Sequence, residues 1–339
     1  MEDCTIYENC IQQKQIEIHL KQDIFHMIAV GCWGVYCHNG NYSIPKKKDN
    51  KISQKIVQRG QRNVSSALIQ YTKTHKVTDM YLVGDNIYQD GIKIEEGTEI
   101  TQEILEKITN NPYNIEKQIE EGFENCFLKS NIDRFFLTIG NHDIESCHTL
   151  TTQHNYSKWN SPSLYYNVIY FLNNFKINII VLDTNMFEDN PKRCDNQPFT
   201  KKQIQTQIDW ALSVKNKGDW NIVIGHIPYL ANGHKQEKHP IDRPILSKLI
   251  NDICPQLYIC ADEHNQQFIQ PEKSNTSIVI AGSGGTGLDK DIKTPLLKNT
   301  LYTNTDFGFV SYKIDKEHIE ITFISDKNKE NYKKIINKT

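Results

Sequence analysis

The sequence lacks any stretch approaching the ~20 consecutive apolar residues that a membrane-spanning helix needs, so no membrane partner is expected. Its first residues, MEDCTIYENCIQQKQ, are acidic and polar where a secretory leader would carry an apolar core. The expectation is an intracellular, cytoplasmic protein. No charge dominates: 39 Lys and Arg against 41 Asp and Glu leave a net charge of −2, which gives no reason to expect nucleic acid as a partner. The run Lys46-Lys47-Lys48 and the pair Lys333-Lys334 read as solvated loop and tail. CxxC pairs are missing too. Nine cysteines stand at irregular spacings, which excludes a zinc ribbon or a dithiol redox motif and reads as mostly free thiols in a reducing compartment. There is no internal repeat and no Gly/Ser/Pro linker. One domain is therefore expected at 24–326, after an N-terminal extension at 1–23 and before a basic C-terminal tail at 327–339.

What is present is a 339-residue chain with 38% hydrophobic and 24% charged residues, the balance of a globular protein with a sizeable core. Apolar runs recur, and each stops at a short polar turn. Ile24 to Val30 stops at Gly31-Cys32-Trp33-Gly34, and Met80 to Val83 at Gly84-Asp85-Asn86. Arg134 to Ile139 stops at Gly140-Asn141-His142-Asp143, and Asn221 to Ile224 at Gly225-His226. Gln256 to Cys260 is followed by Asp262-Glu263-His264. Helices are expected near 52–74, 100–128, 201–214 and 243–252, with later β runs at 164–172, 177–182, 277–281, 307–314 and 319–324. Five strands thus deliver metal-capable side chains at their carboxyl ends, where ligand sites of α/β sheets lie. The pattern predicts layered α/β architecture with two sheets packed as a sandwich. Singly, each cluster would more often be a turn, and a lone His226 more often a satisfied core histidine. Their order is what points to a site.

The ordered motifs are AVGCWG at 29–34, GDNIYQDGI at 84–92, GNHD at 140–143, GHIPYLANGH at 225–234 and CADEHN at 260–265, with KWNSPSLYYNV at 158–168 and VLDTN at 181–185 between them. This set resembles the calcineurin-like metallophosphoesterase superfamily, and within it the small purple (tartrate-resistant type) acid phosphatases, from about Ile24 to Ile324. The resemblance implies a four-layer α-β-β-α sandwich of two mixed sheets flanked by helices. It also implies a dinuclear metal centre, iron paired with iron, zinc or manganese, whose metal-bound hydroxide attacks a phosphomonoester or phosphoprotein substrate. By resemblance Asp85 bridges both metals, Tyr88 is the phenolate on the first, and His264 completes that site. Asn141 and His226 bind the second metal. His142 matches a catalytic histidine that stabilises the transition state or protonates the leaving alkoxide. His234 falls one residue short of the spacing for a second catalytic histidine.

Two positions depart from the pattern. Where the family reads GDWG this chain has Cys32, and where it reads GHDH this chain has Asp262, with Glu263 next to it. The implied sets are therefore Cys32, Asp85, Tyr88 and His264 for one metal, and Asp85, Asn141, His226 and Asp262 for the other. A thiolate keeps the charge of the carboxylate it replaces but is softer, favouring zinc or iron over magnesium. Asp262 in place of imidazole adds a negative charge and shortens the reach. Two readings follow: a phosphomonoesterase with altered metal or reduced activity, or an inactive pseudophosphatase serving as a binding or structural module. The loop Gly282–Gly287 lacks the lysine and helix of a phosphate-cradling P-loop and reads as structural. Oligomeric state is not legible.

Overall fold

Along Phe25–Val30 every second side chain faces the same way, and both faces are buried. Phe25, Met27 and Ala29 join one apolar cluster with Val168, Tyr170 and Ile179, while Ile28 and Val30 join another with Val64 and Leu68 of the following helix. A strand apolar on both faces needs cover on both sides. The computed structural model, which describes residues 15–34, 40–48, 51–88, 115–233, 243–272, 274–290, 292 and 296–338, supplies it with a second sheet on one face and helices on the other.

The strands are β1 (Gln15–His19), β2 (Phe25–Val30), β3 (Gly40–Lys48), β4 (Lys51–Arg59), β5 (Asp79–Val83) and β6 (Arg134–Thr138). Then come β7 (Trp159–Asn160), β8 (Tyr166–Phe171), β9 (Lys176–Val181), β10 (Trp220–Ile224), β11 (Leu257–Cys260) and β12 (Gln266–Ile269). The last are β13 (Ser277–Ala281), β14 (Thr300–Asn304), β15 (Gly308–Ile314), β16 (His318–Ser325) and β17 (Glu330–Asn337). One sheet has the order β17-β16-β15-β2-β5-β6-β7 and the other β1-β8-β9-β10-β11-β13-β12-β14. Both are mixed. β2, β5, β6 and β7 are parallel, with β15 antiparallel to β2. β9, β10, β11 and β13 are parallel, with β8 and β12 antiparallel to their neighbours β9 and β13. This is the expected four-layer sandwich of two mixed sheets.

The helices carry apolar stripes at helical spacing. In α1 (Gln61–Thr74) the stripe is Val64, Ala67, Leu68 and Tyr71. A short α2 (Ile115–Gln118) runs into a π-helical turn at Ile119–Glu124, and α3 (Cys147–Asn155) is capped by Ser146, which accepts from the Thr149 amide. Thr200 and Gln203 form a capping box at the start of α4 (Lys201–Val214). In α5 (Pro244–Ile253), Pro244 stands in the first turn, the buried stripe is Leu246, Leu249, Ile250 and Ile253, and Cys254 ends the helix in left-handed conformation.

Three expectations are corrected. The helix predicted from 52 begins at Gln61, because β4 pairs with β3 as a hairpin from Gly40↔Arg59 to Lys48↔Lys51. Gly60 separates the two: its amide donates to the Gly285 carbonyl, and an added Cβ would lie 2.4 Å from the Phe307 ring. The extension and the tail both hold edge strands. β1 pairs parallel with β8, and β17 pairs antiparallel with β16, where Tyr332 and Ile336 pack on the core and Lys333 pairs with Glu320 at 3.4 Å. The alternation of 330–337 was hidden by its lysines, which lie on a half-exposed edge. Finally, among the six described cysteines half are disulfide-bonded. Cys147 and Cys194 form a disulfide across 47 residues, and Cys126 is also disulfide-bonded; Cys32, Cys254 and Cys260 are not in disulfides. Irregular spacing hides such pairs because only the fold brings them together.

No helix among the described residues is long and apolar enough to cross a membrane. Closing a loop of this length is worth about 4 kcal/mol in the chain-entropy model. Cys194→Ala is expected to lower the denaturation midpoint measurably in non-reducing buffer, and dithiothreitol should lower the wild-type midpoint by more than it lowers the variant's.

Candidate metal centre

The loops after β2, β5, β6, β10 and β11 meet at one end of the two sheets. Three residues there, Cys32 (φ 53°), Asp85 (φ 53°) and Asp262 (φ 61°), adopt left-handed backbone conformations that cost a non-glycine residue about 1 kcal/mol or more. The strain is held by bonds between loops: Cys32 N–H donates to Gly84 O (3.0 Å) and Gly34 N–H to Asp85 O (3.0 Å). Gly84 has φ 78° and lies so close to His226 that a Cβ would sit 2.4 Å from Nδ1.

Asp85 is fully buried and its two oxygens face different ways. Oδ2 accepts from the Tyr88 hydroxyl at 2.9 Å, and that hydroxyl lies 3.3 Å from His264 Nε2. Donor atoms of Cys32, Asp85 and His264 all lie within 4.8 Å of one another, close enough to share an ion. Oδ1 lies 3.2 Å from His226 Nε2 and accepts from the His142 amide. His226 Nε2 in turn lies 3.1 Å from Asn141 Oδ1 and 3.8 Å from Asp262 Oδ1. Both donor sets anticipated from the sequence therefore converge, with Asp85 common to them. The residues fit two ions: a thiolate, a carboxylate, an imidazole and a phenol on one side, two carboxylates, an amide and an imidazole on the other.

The imidazoles are oriented from behind. His226 Nδ1 donates to Val83 O (2.8 Å) and His264 Nδ1 to Gly287 O (2.6 Å), so each Nε2 points to the centre. The glycine-rich loop thus has a definite task. It anchors the first motif, through Gly284 N–H to Gly31 O and Thr286 N–H to Cys32 O, and it aims His264.

Charge follows from this packing. Burial lowers the pKa of His226, but the Asp85 carboxylate, and then Asp262, outweigh it and push it up to about 9. Burial, then Asp85 and Cys32, hold the Tyr88 phenol well above its ordinary value, so only a bound cation would draw it to phenolate. Asp143, inside GNHD, was given no role from the sequence. It is fully buried and accepts from the amides of Asn86 (2.9 Å), Ile87 (2.9 Å) and Gly140 (2.7 Å), tying the second motif to the third. Burial, and then Asp85, raise its pKa to about 7. Glu145 was also missed; it lies 2.8 Å from His142 Nδ1. The i, i+3 spacing was the available signal, but such pairs are common on surfaces. Trp33 is buried and donates to Asn86 Oδ1 (2.9 Å). His142 is partly exposed at the mouth, with its ring 4.6 Å from that of Tyr88. His234 lies outside the described residues.

A double sheet with a carboxylate shared between two donor sets at its strand ends is the arrangement of a metal-dependent phosphoesterase. The profile of the calcineurin-like phosphoesterases matches residues 25–266, and the chain belongs to that family. Among solved structures it is similar to GAP50, the anchor in the inner membrane complex of Plasmodium (TM-score 0.67, 19% identity, 94% of this chain and 90% of that one covered). It is also similar to the purple acid phosphatase PPD1 from yellow lupin (0.63, 14%, 94% and 54%) and to a dimetal phosphatase from Danio rerio (0.52, 12%, 94% and 100%). At these identities the likeness is one of fold. A search of curated protein sequences gave no match.

Two outcomes are expected. In the metal-free protein the folded-state pKa of His226 exceeds the unfolded value near 6.5, so its contribution to stability is complete below about pH 6.5 and lost as pH rises through about 9. Melting temperatures across that window should fall, and His226→Asn should flatten the fall. Asp143→Asn places an amide among four N–H donors, three backbone amides and the Asn86 carboxamide, and should cost about 2–3 kcal/mol by denaturant titration.

Proposed function

We propose that this chain is a metal-dependent phosphomonoesterase with an altered pair of metal sites. The observation that carries the reading is the division of the Asp85 oxygens, Oδ2 toward Tyr88 and Oδ1 toward His226, since a carboxylate shared by two donor sets is what a two-metal phosphoryl-transfer site requires. The metals, when bound, would supply Lewis acidity toward the phosphoryl oxygens and activate water for attack. Cys32, Asp85, Tyr88 and His264 would hold one, and Asp85, Asn141, His226 and Asp262 the other. The thiolate favours iron or zinc at the first, with manganese confined to the harder second.

The chain's own groups do the rest. His142 stands at the mouth with Nδ1 turned to Glu145, which leaves Nε2 to donate a proton to the leaving alkoxide. Glu145 holds the ring in place. Asp143 fixes the loops that carry Asp85 and Asn141. His234, beyond the described residues, is a second candidate for proton donation. Asp262 adds negative charge beside the second metal and so moderates its Lewis acidity. The disulfides support an oxidising compartment rather than the cytoplasm, because such bonds persist where thiols are not kept reduced.

A second reading, a binding or structural module, is favoured by one observation: two of the seven donor positions are replaced, at Cys32 and Asp262. The fold likeness to GAP50, described as an anchor, is compatible with it.

Elemental analysis beside p-nitrophenyl phosphate turnover separates the two. Two metals per chain are expected. Asp85→Ala should cost more than the roughly 10–100-fold typical of losing an outer partner, and His142→Asn about 100-fold or more in kcat. No metal and no turnover in the wild type, with both restored by Cys32→Asp/Asp262→His, would establish the binding module instead.

A further inference from the structure

Beside the metal centre lies a pocket of about 480 Å³, within the range of small-molecule sites. It shares residues with the centre: Asn141, whose Oδ1 lies 3.1 Å from His226 Nε2, and Glu145, which holds His142. Among the described residues that line it, Ile144 is the only apolar one and none is aromatic. Four are asparagines: 141, 185, 190 and 196. The carboxamides of Asn190 and Asn196 each offer a carbonyl acceptor and two N–H donors, which is the complement of neighbouring hydroxyl groups, while Asn141 Oδ1 already faces His226 Nε2. Asn185 is fixed by its Nδ2, which donates to Asp183 Oδ1 at 2.9 Å.

Two of the acidic residues of the lining are paired: Glu145 with His142 at 2.8 Å and Glu188 with Arg243 at 2.7 Å. Lys192, Arg193 and Asp189 also line it. The walls are also tied together. Cys147, two residues after Glu145, is disulfide-bonded to Cys194, which follows Arg193. Asn196 holds a left-handed turn (φ 58°), a conformation that asparagine tolerates better than most residues.

Resting on the phosphomonoesterase reading above, we infer that this pocket receives the alcohol half of the substrate, and that the alcohol is polyhydroxylated, as in a sugar or polyol phosphate. An aryl or alkyl group would take the asparagine amides out of water without replacing their hydrogen bonds, and sites built from polar groups reject such ligands strongly. Hydroxyls seated on the amides would place the ester oxygen beside Asn141 and within the reach of His142.

The test compares kcat/KM for glucose 6-phosphate and p-nitrophenyl phosphate on the metal-loaded full chain, in the wild type, Asn190→Ala and Asn196→Gly. Glycine is chosen at 196 because it keeps the positive φ while removing the amide. Glucose 6-phosphate should be preferred by about tenfold or more, and the preference should fall by about tenfold in each variant. Preference for the aryl ester, or a ratio that neither variant moves, overturns the inference while leaving the phosphatase reading intact. If neither ester turns over, the phosphatase reading fails, and calorimetric titration of glucose 6-phosphate decides the pocket. Binding weakened by Asn196→Gly would support it; absence of binding would overturn it.

Discussion

The Asp85 carboxylate is the constraint on which the rest of the structure depends. It is fully buried at the end of a parallel strand, in a left-handed turn, with donors of two different sets on its two oxygens. A buried carboxylate survives only where partners replace its hydration. Tyr88, His226 and the His142 amide do so here. Those partners come from loops that belong to both sheets, so the site also joins the two sheets at their carboxyl ends. Its geometry and the docking of the sandwich are one problem.

The cost of that arrangement is visible around it. Positive φ at Cys32, Asp85 and Asp262 is sustained by loop-to-loop hydrogen bonds and by Asp143, whose carboxylate gathers three amides beneath the centre. Strain of this kind concentrates at functional sites because a relaxed loop would not project its side chain to the required point. The β2 and β5 strands below are buried on both faces, which gives the strained turns a rigid base.

Cys32 and Asp262 change the chemistry of the donors without emptying their positions. The Cys32 thiol stands with Asp85 and His264, and Asp262 with His226, where the ligand sets implied by the resemblance place them. A core serving packing alone would favour neutral replacements at such buried positions, since a second buried carboxylate beside Asp85 raises repulsion. The raised pKa of His226 is the response: its positive charge, or a bound cation, is what lets the carboxylates stay together.

The strand-turn pattern, the two-sheet sandwich and the seven candidate donor positions were legible in the sequence, because each motif sits on one short stretch where apolar periodicity ends in a polar turn. The sequence did not determine what depends on residues far apart along the chain. The Cys147–Cys194 disulfide and the Gly287 carbonyl behind His264 arise from packing. The edge strands β1 and β17 were read as extension and tail because β1 is only five half-exposed residues long and the lysines of β17 mask its alternation. β4 was lost inside a predicted helix, since only its pairing with β3 across the turn distinguishes the two. Local pattern fixes which residues can serve as ligands; tertiary structure alone decides which oxygen of Asp85 faces which set, and what pocket lies beside it.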